Sequence, residues 1–121
     1  MKPGKTGISR VIDATDYSIK GLKAAWINEA AFRQEVVLTL IFTCVAFLLP
    51  VDHIERTLLI FSLLLVIIVE LMNSAIETVV DRIGDECHEL SGRAKDIGSA
   101  AVFVALAIEL LVWASVIIEI L

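Results

Sequence analysis

The sequence predicts an all-α membrane protein: an N-terminal amphipathic helix lying in the membrane interface, then three transmembrane helices, in one membrane domain spanning residues 1–121. Three observations carry this expectation. The 121-residue chain is 58% hydrophobic with a mean hydropathy of +0.86. Soluble domains stay near half apolar, and a core this small could not hide so much apolar surface from water. Charges are segregated into blocks that alternate with long apolar runs, and those runs match the ~20 residues a helix needs to cross a ~30 Å hydrocarbon core.

The interfacial helix is expected over residues 6–27. Ile8, Val11, Ile12, Thr15, Ile19, Leu22 and Trp26 recur at helical spacing and form one stripe, with Arg10, Lys20 and Lys23 off it. Because a span follows directly, this stripe reads as lying in the interface rather than on a partner protein, with Trp26 at headgroup level. No apolar core follows the first charges, so no cleavable signal peptide is expected. The first span is expected over 30–49, with fourteen uncharged residues from Val36 to Leu49, and Pro50 ends it. The second covers 52–80 and extends to the cytoplasmic side. The third covers 97–121, with Glu109 as its one charge before Glu119.

Short connections, Pro50 to Arg56 and Asp81 to Asp96, join the spans. In the second, Gly84 and Gly92 read as a helix end and a turn, and Ser91 as a cap for the third helix. Nine of the ten basic residues lie before the first span or in the second loop, and Arg56 alone lies in the first loop. Lys and Arg concentrate in cytoplasmic loops, so the N-terminus is expected in the cytoplasm and the C-terminus outside it. Cys44 and Cys87 lie at different depths and read as two free thiols.

The informative segment is Glu70-Leu71-Met72-Asn73-Ser74-Ala75-Ile76-Glu77-Thr78-Val79-Val80-Asp81. Glu70, Asn73, Ser74, Glu77 and Asp81 fall at i, i+3, i+4, i+7 and i+11, one face of a helix whose opposite face is apolar. Counting from Arg56 at ~1.5 Å per residue, Glu70 lies roughly 9 Å inside the cytoplasmic edge of the hydrocarbon and Glu77 at about that edge. A carboxylate in a span costs on the order of 2.5–3.5 kcal/mol and marks a functional site facing a polar cavity by default. The plain alternative is a structural hydrogen-bond network between helices.

A second cluster, Trp26-Ile27-Asn28-Glu29-Ala30-Ala31-Phe32-Arg33-Gln34-Glu35, opens the first span on the same side. Glu29 could serve only the helix dipole, worth about 0.3–1 kcal/mol. The sharper expectation is that Glu29 meets Glu77 at the interface around a hard cation such as Mg²⁺, which also takes substrate phosphates. Cys87 and His88 lack the second pair that a zinc site requires. Arg93 reads as a positive-inside anchor, whereas Lys95 is expected near the Glu77 end of the second span. Carboxylates for a metal, a lysine and a carboxylate at lipid depth suit phosphoryl transfer, with Glu70 as base for the attacking hydroxyl. No Walker A loop or kinase glycine loop is present, so the residues alone reach a metal-dependent polar site at a membrane interface and not ATP.

The two clusters, together with Asp81-Arg82-Ile83 and His88-Glu89-Leu90-Ser91-Gly92-Arg93-Ala94-Lys95-Asp96, resemble the small bacterial integral-membrane diacylglycerol kinases. The resemblance covers essentially the whole chain, with matching length, span layout and motif order. It implies a homotrimer in the bacterial inner membrane, with sites shared between subunits and capped by the interfacial helix, that phosphorylates diacylglycerol to phosphatidate with ATP and Mg²⁺. Glu70 is implied as general base, with Asn73 supporting the catalytic face. Glu29 and Glu77 are implied to hold the Mg²⁺ of ATP. Arg10 and Lys95 are implied on phosphates, and Tyr17, Glu86, Cys87, His88 and Asp96 around the nucleotide. Lipid contacts are implied at Ala14, Thr15, Asp16, Ser18, Ile19, Lys23, Trp26, Ala31, Arg33, Glu35, Arg56, Glu70, Ser99 and Trp113. Cys87 stands where an aromatic residue would be expected beside the adenine, and Glu109 has no counterpart in the pattern. No nucleic-acid partner is expected. The alternatives are a sister activity on undecaprenol and, from another class, a small transporter or channel subunit using Glu70 and Glu77 as ion-pathway groups. The repeats and broken spans of transporters are absent from the sequence.

Overall fold

The computed structural model describes residues 6–84 and 88–121. Four helices follow in order: α1 (Gly7–Asn28), α2 (Ala30–Leu48), α3 (His53–Ile83) and α4 (Glu89–Ile120). No strand occurs among the described residues. The last three are long and apolar enough to cross a membrane. At ~1.5 Å per residue, α3 and α4 are each nearly 50 Å long and must project beyond a ~30 Å hydrocarbon core.

One extended residue separates α1 from α2. Glu29 has φ −120° and ψ 105°, its N–H donates to Ala25 O, and it closes α1 while opening α2. No Pro or Gly marks this break. It is held by Arg33, whose Nη1 donates to Trp26 O at 2.6 Å and Ile27 O at 3.2 Å, satisfying carbonyls that the end of α1 leaves orphaned.

Between α2 and α3 the chain reverses at Leu49–Asp52. Asp52 and Glu55 form a capping box: Glu55 N–H donates to Asp52 Oδ1 at 2.8 Å and Asp52 N–H to Glu55 Oε1 at 3.3 Å. Arg56 turns back onto the preceding helix end, donating to the carbonyls of Ala46, Leu49 and Val51 at 3.0, 3.4 and 3.4 Å. A guanidinium there complements the negative end of the α2 dipole and supplies donors where water is scarce. Arg56→Ala is expected to lower stability by about 2 kcal/mol, the worth of a hydrogen bond to a charged group. Thermal unfolding in detergent checks this, and an unchanged midpoint would remove Arg56 as the clamp of this turn.

The third apolar helix begins earlier than the third span expected from hydropathy. His88 is the N-cap of α4, its Nδ1 accepting from Leu90 N–H at 3.0 Å. Ser91 is therefore inside the helix rather than its cap, and Gly92 is helical rather than a turn. Hydropathy marks where lipid begins, whereas the helix continues as long as its backbone groups are paired, and in water a charged stretch pairs them as well.

Helices α2, α3 and α4 converge at the end beside the α2–α3 turn. Ala46, Leu59 and Val116 are buried there, surrounded by Leu49, Val51, Ile60, Val112, Trp113 and Ile120. Phe42 meets Trp113 edge to face at 5.3 Å. Elsewhere α4 turns small residues, Gly98 and Ala105, inward, and a Cβ at Gly98 would meet Asn73 and Ile76 of α3. Close approach over small residues is how helices associate where lipid removes the hydrophobic drive. The chain exposes 8761 Å², against roughly 6,400 Å² for a compact soluble monomer of its mass. Much of that surface is large and apolar, with Phe61, Phe103, Leu110 and Leu111 all exposed.

Candidate functional site

Helix α3 carries the polar face inward and grades it by depth. Glu70 is 7% and Ser74 8% exposed. Asn73 and Glu77 are half-buried, and Asp81 is exposed at the helix end. Glu70 lies within electrostatic reach of Glu35 on α2, Glu77 on α3 and Glu29 at the α1–α2 break. The break matters here. The extended residue ends α1 and opens α2, so Glu29 stands at the junction of the two helices. Among the described residues Glu29, Glu70 and Glu77 have no ion pair with Lys, Arg or His. Glu77 accepts from Asn73 Nδ2 at 3.2 Å. Unpaired carboxylates gathered in a low-dielectric region repel one another, and a cation among them would relieve this. No three His, Cys, Asp or Glu side chains among the described residues of one chain form a metal cluster by themselves.

A cleft of about 850 Å³ opens between α1 and α3. Gly21, Ala24 and Ala25 give α1 a low wall, Ser74 and Ala75 of α3 face them, and Glu29 and Asp81 stand along its rim. Ser18, Asn28 and Thr78 also line it. Glu70, Asn73 and Glu77 sit on the adjoining face of α3, so within one chain the cleft and the buried carboxylate share Ser74 and Glu29 as neighbours rather than forming one chamber.

Lys95 of α4 reaches across to α3 and pairs with Asp81, Nζ to Oδ1 2.8 Å, one turn beyond Glu77. Asp96 is exposed beside Arg93 and Glu89, themselves paired at 3.6 Å. His88 spends Nδ1 on its cap. Glu86 and Cys87 lie outside the described residues. On α1, Arg10 and Tyr17 are exposed on one face at i, i+7. Asp16 pairs with Lys20 at 3.1 Å and holds that ammonium above its ordinary pKa by hydrogen bond and charge.

The lipid-side expectations divide into two groups. Ser18 lines the cleft, its hydroxyl bonded to Ala14 O, as Thr15 is to Val11 O. Ala14 is half-buried, and Ile19, Lys23, Trp26 and Ala31 are exposed along α1 and the start of α2. Arg33 is engaged by α1 carbonyls, and Glu35 lies within electrostatic reach of Glu70. Ser99 is exposed beside Gly98. Arg56 and Trp113 are not brought to the carboxylates: Arg56 is fourteen residues, ~21 Å, from Glu70 along α3, and Trp113 packs at the same far end. Glu109, half-buried on α4, lies within reach of Glu35. Reading by residue type missed Gly98, which meets Asn73; its spacing of seven from Ala105 was the available signal.

Comparison with known proteins finds similarity over nearly the whole chain. The family model for prokaryotic diacylglycerol kinase matches residues 16–117. The diacylglycerol kinase of Escherichia coli (strain K12) is 60% identical over 113 residues, 93% of each chain. That of Haemophilus influenzae is 55% identical over 111 residues, covering 92% of this chain and 94% of its own. A Helicobacter pylori diacylglycerol kinase is 44% identical over 113 residues, 93% of this chain and 88% of the relative. The matched region contains the α1–α2 break, the polar face of α3 and the start of α4, and the chain belongs to the prokaryotic diacylglycerol kinase family.

Proposed function

We propose that this chain transfers the γ-phosphoryl group of ATP to the hydroxyl of diacylglycerol at the cytoplasmic face of a bacterial inner membrane, releasing phosphatidate and ADP. The observation that carries this reading is Glu70, buried on the apolar helix α3 and within electrostatic reach of Glu29, Glu35 and Glu77, without a basic partner among the described residues. Glu70 takes the proton from the lipid hydroxyl as its oxygen bonds to phosphorus and the bond to the bridging oxygen of ADP breaks. Its depth suits a hydroxyl carried at the glycerol level. Glu29 and Glu77 would hold Mg²⁺ with the phosphates of ATP, which supplies charge neutralisation. Lys95, kept over the same end by Asp81, and Arg10 add positive charge toward the phosphates, with Tyr17, Glu86, Cys87, His88 and Asp96 around the nucleotide. Asn73 orients Glu77.

In this reading α1 lies in the membrane plane and roofs the site, its exposed Ile8, Val11, Ile12 and Ile19 reaching into lipid. Diacylglycerol enters beside α1, with its chains running toward Trp113 and Arg56. The distribution of basic residues supports a cytoplasmic N-terminus and a periplasmic C-terminus. The exposed apolar faces, and a cleft that does not by itself enclose Glu70, support a homotrimer whose sites are completed between chains.

Purified protein in detergent, given ATP with diacylglycerol or undecaprenol, with and without Mg²⁺, tests the reading. Mg²⁺-dependent transfer to diacylglycerol is expected. Transfer to undecaprenol alone would keep the chemistry and replace the substrate. No transfer to either from folded protein would return the carboxylates to an ion pathway.

A further inference from the structure

Asn73 has two ends in different surroundings. Its Nδ2 donates to Glu77 Oε1 at 3.2 Å, while its Oδ1 is buried with no hydrogen-bond partner among the described residues. Reversing the amide would set two oxygen acceptors against each other, so the Nδ2 side belongs to Glu77 and the Oδ1 side to α4. What lies on that side is Gly98. A Cβ built there would collide with Asn73 Oδ1 and would touch Cγ at 3.4 Å. The glycine is buried and stands inside α4 without a left-handed φ, so no backbone conformation calls for it. Its hydrogen stands where a side chain would otherwise be, leaving room for Oδ1. The other helical glycines with no left-handed φ, Gly21 and Gly92, have nothing within 4 Å of such a Cβ.

We infer that Gly98 is a positioning residue for the phosphoryl-transfer site. By carrying no side chain it lets α4 close on α3 against the Asn73 amide, which then donates to Glu77 and fixes the direction of that carboxylate. This rests on the reading of Glu77 as a holder of Mg·ATP. An added methyl meets side-chain atoms alone, chiefly the Asn73 amide, so it is accommodated by turning that amide, and the turn moves the donor away from Glu77.

The test compares Gly98→Ala, Asn73→Ala, the double variant and Glu77→Ala. In metal-free, ¹⁵N-labelled protein, the Asn73 side-chain amide resonance is expected to move in Gly98→Ala toward that of an unbonded amide. Half-saturating Mg²⁺ is expected to rise roughly tenfold, as when a partner that orients a metal ligand is lost, with KM for diacylglycerol unchanged. In the Asn73→Ala background, Gly98→Ala should change it less than twofold, because both act through one contact. An unmoved resonance, or effects that multiply, would overturn the assignment. If Gly98→Ala does not fold, the double variant, freed of the collision, should fold and behave as Asn73→Ala; its failure to fold would place the role of Gly98 elsewhere. A flat Mg²⁺ dependence in Glu77→Ala would instead sink the metal reading, while the resonance and the cycle measured on unfolding midpoints still decide whether Gly98 acts through Asn73.

Discussion

Glu70→Gln is expected to reduce turnover by about 10²–10⁴-fold, the usual worth of a general base, or roughly 3–5 kcal/mol in barrier height. The substitution preserves shape and an acceptor oxygen but cannot take a proton from the lipid hydroxyl. Stability should not suffer. Glu70 is 7% exposed and its charged neighbours are Glu35, Glu77 and Glu29, so removing its charge takes away both burial cost and repulsion. The unfolding midpoint should stay the same or rise, and binding of an ATP analogue should persist. Retained turnover in folded Glu70→Gln would exclude Glu70 as the base. Lost ATP-analogue binding would make it a nucleotide ligand instead.

Glu77→Gln is expected to raise half-saturating Mg²⁺ by at least the ten- to hundredfold that loss of an outer-shell partner costs a metal site. The choice of Gln follows from the structure. Glu77 Oε1 accepts from Asn73 Nδ2, and Gln keeps a carbonyl oxygen for that bond while losing the charge. Glu77→Ala would also strand the Asn73 donor, costing about 1–3 kcal/mol in stability, so a difference between the two separates metal holding from packing. Glu29→Gln should show the same metal defect with less effect on stability, because Glu29 has no side-chain cap bond to lose. Unaltered metal dependence in both Gln variants would remove the pair as Mg²⁺ ligands.

What the sequence determined by itself follows from the membrane as solvent. Without water to pair backbone groups, apolar runs of sufficient length become helices; the runs 36–48, 58–69 and 97–118 stand in the helices α2, α3 and α4. Because a helix repeats every 3.6 residues, the spacing of Glu70, Asn73, Ser74, Glu77 and Asp81 placed them on one face before any packing was known. The ends of α1 and α4, the helices beside that face, could not be read so directly. That α1 stops at one extended residue rests on Arg33 reaching back seven residues to Trp26 O, a contact without a local breaker to announce it. That α4 starts at Glu89 reflects a capped helix extending into water, which hydropathy does not register. That Gly98 rather than another small residue of α4 meets Asn73, that Arg56 is consumed by three carbonyls, and that Glu109 lies near Glu35 are all matters of which faces turn toward each other. Those rotations are set by side-chain shape summed over whole interfaces, so only the tertiary structure decided them.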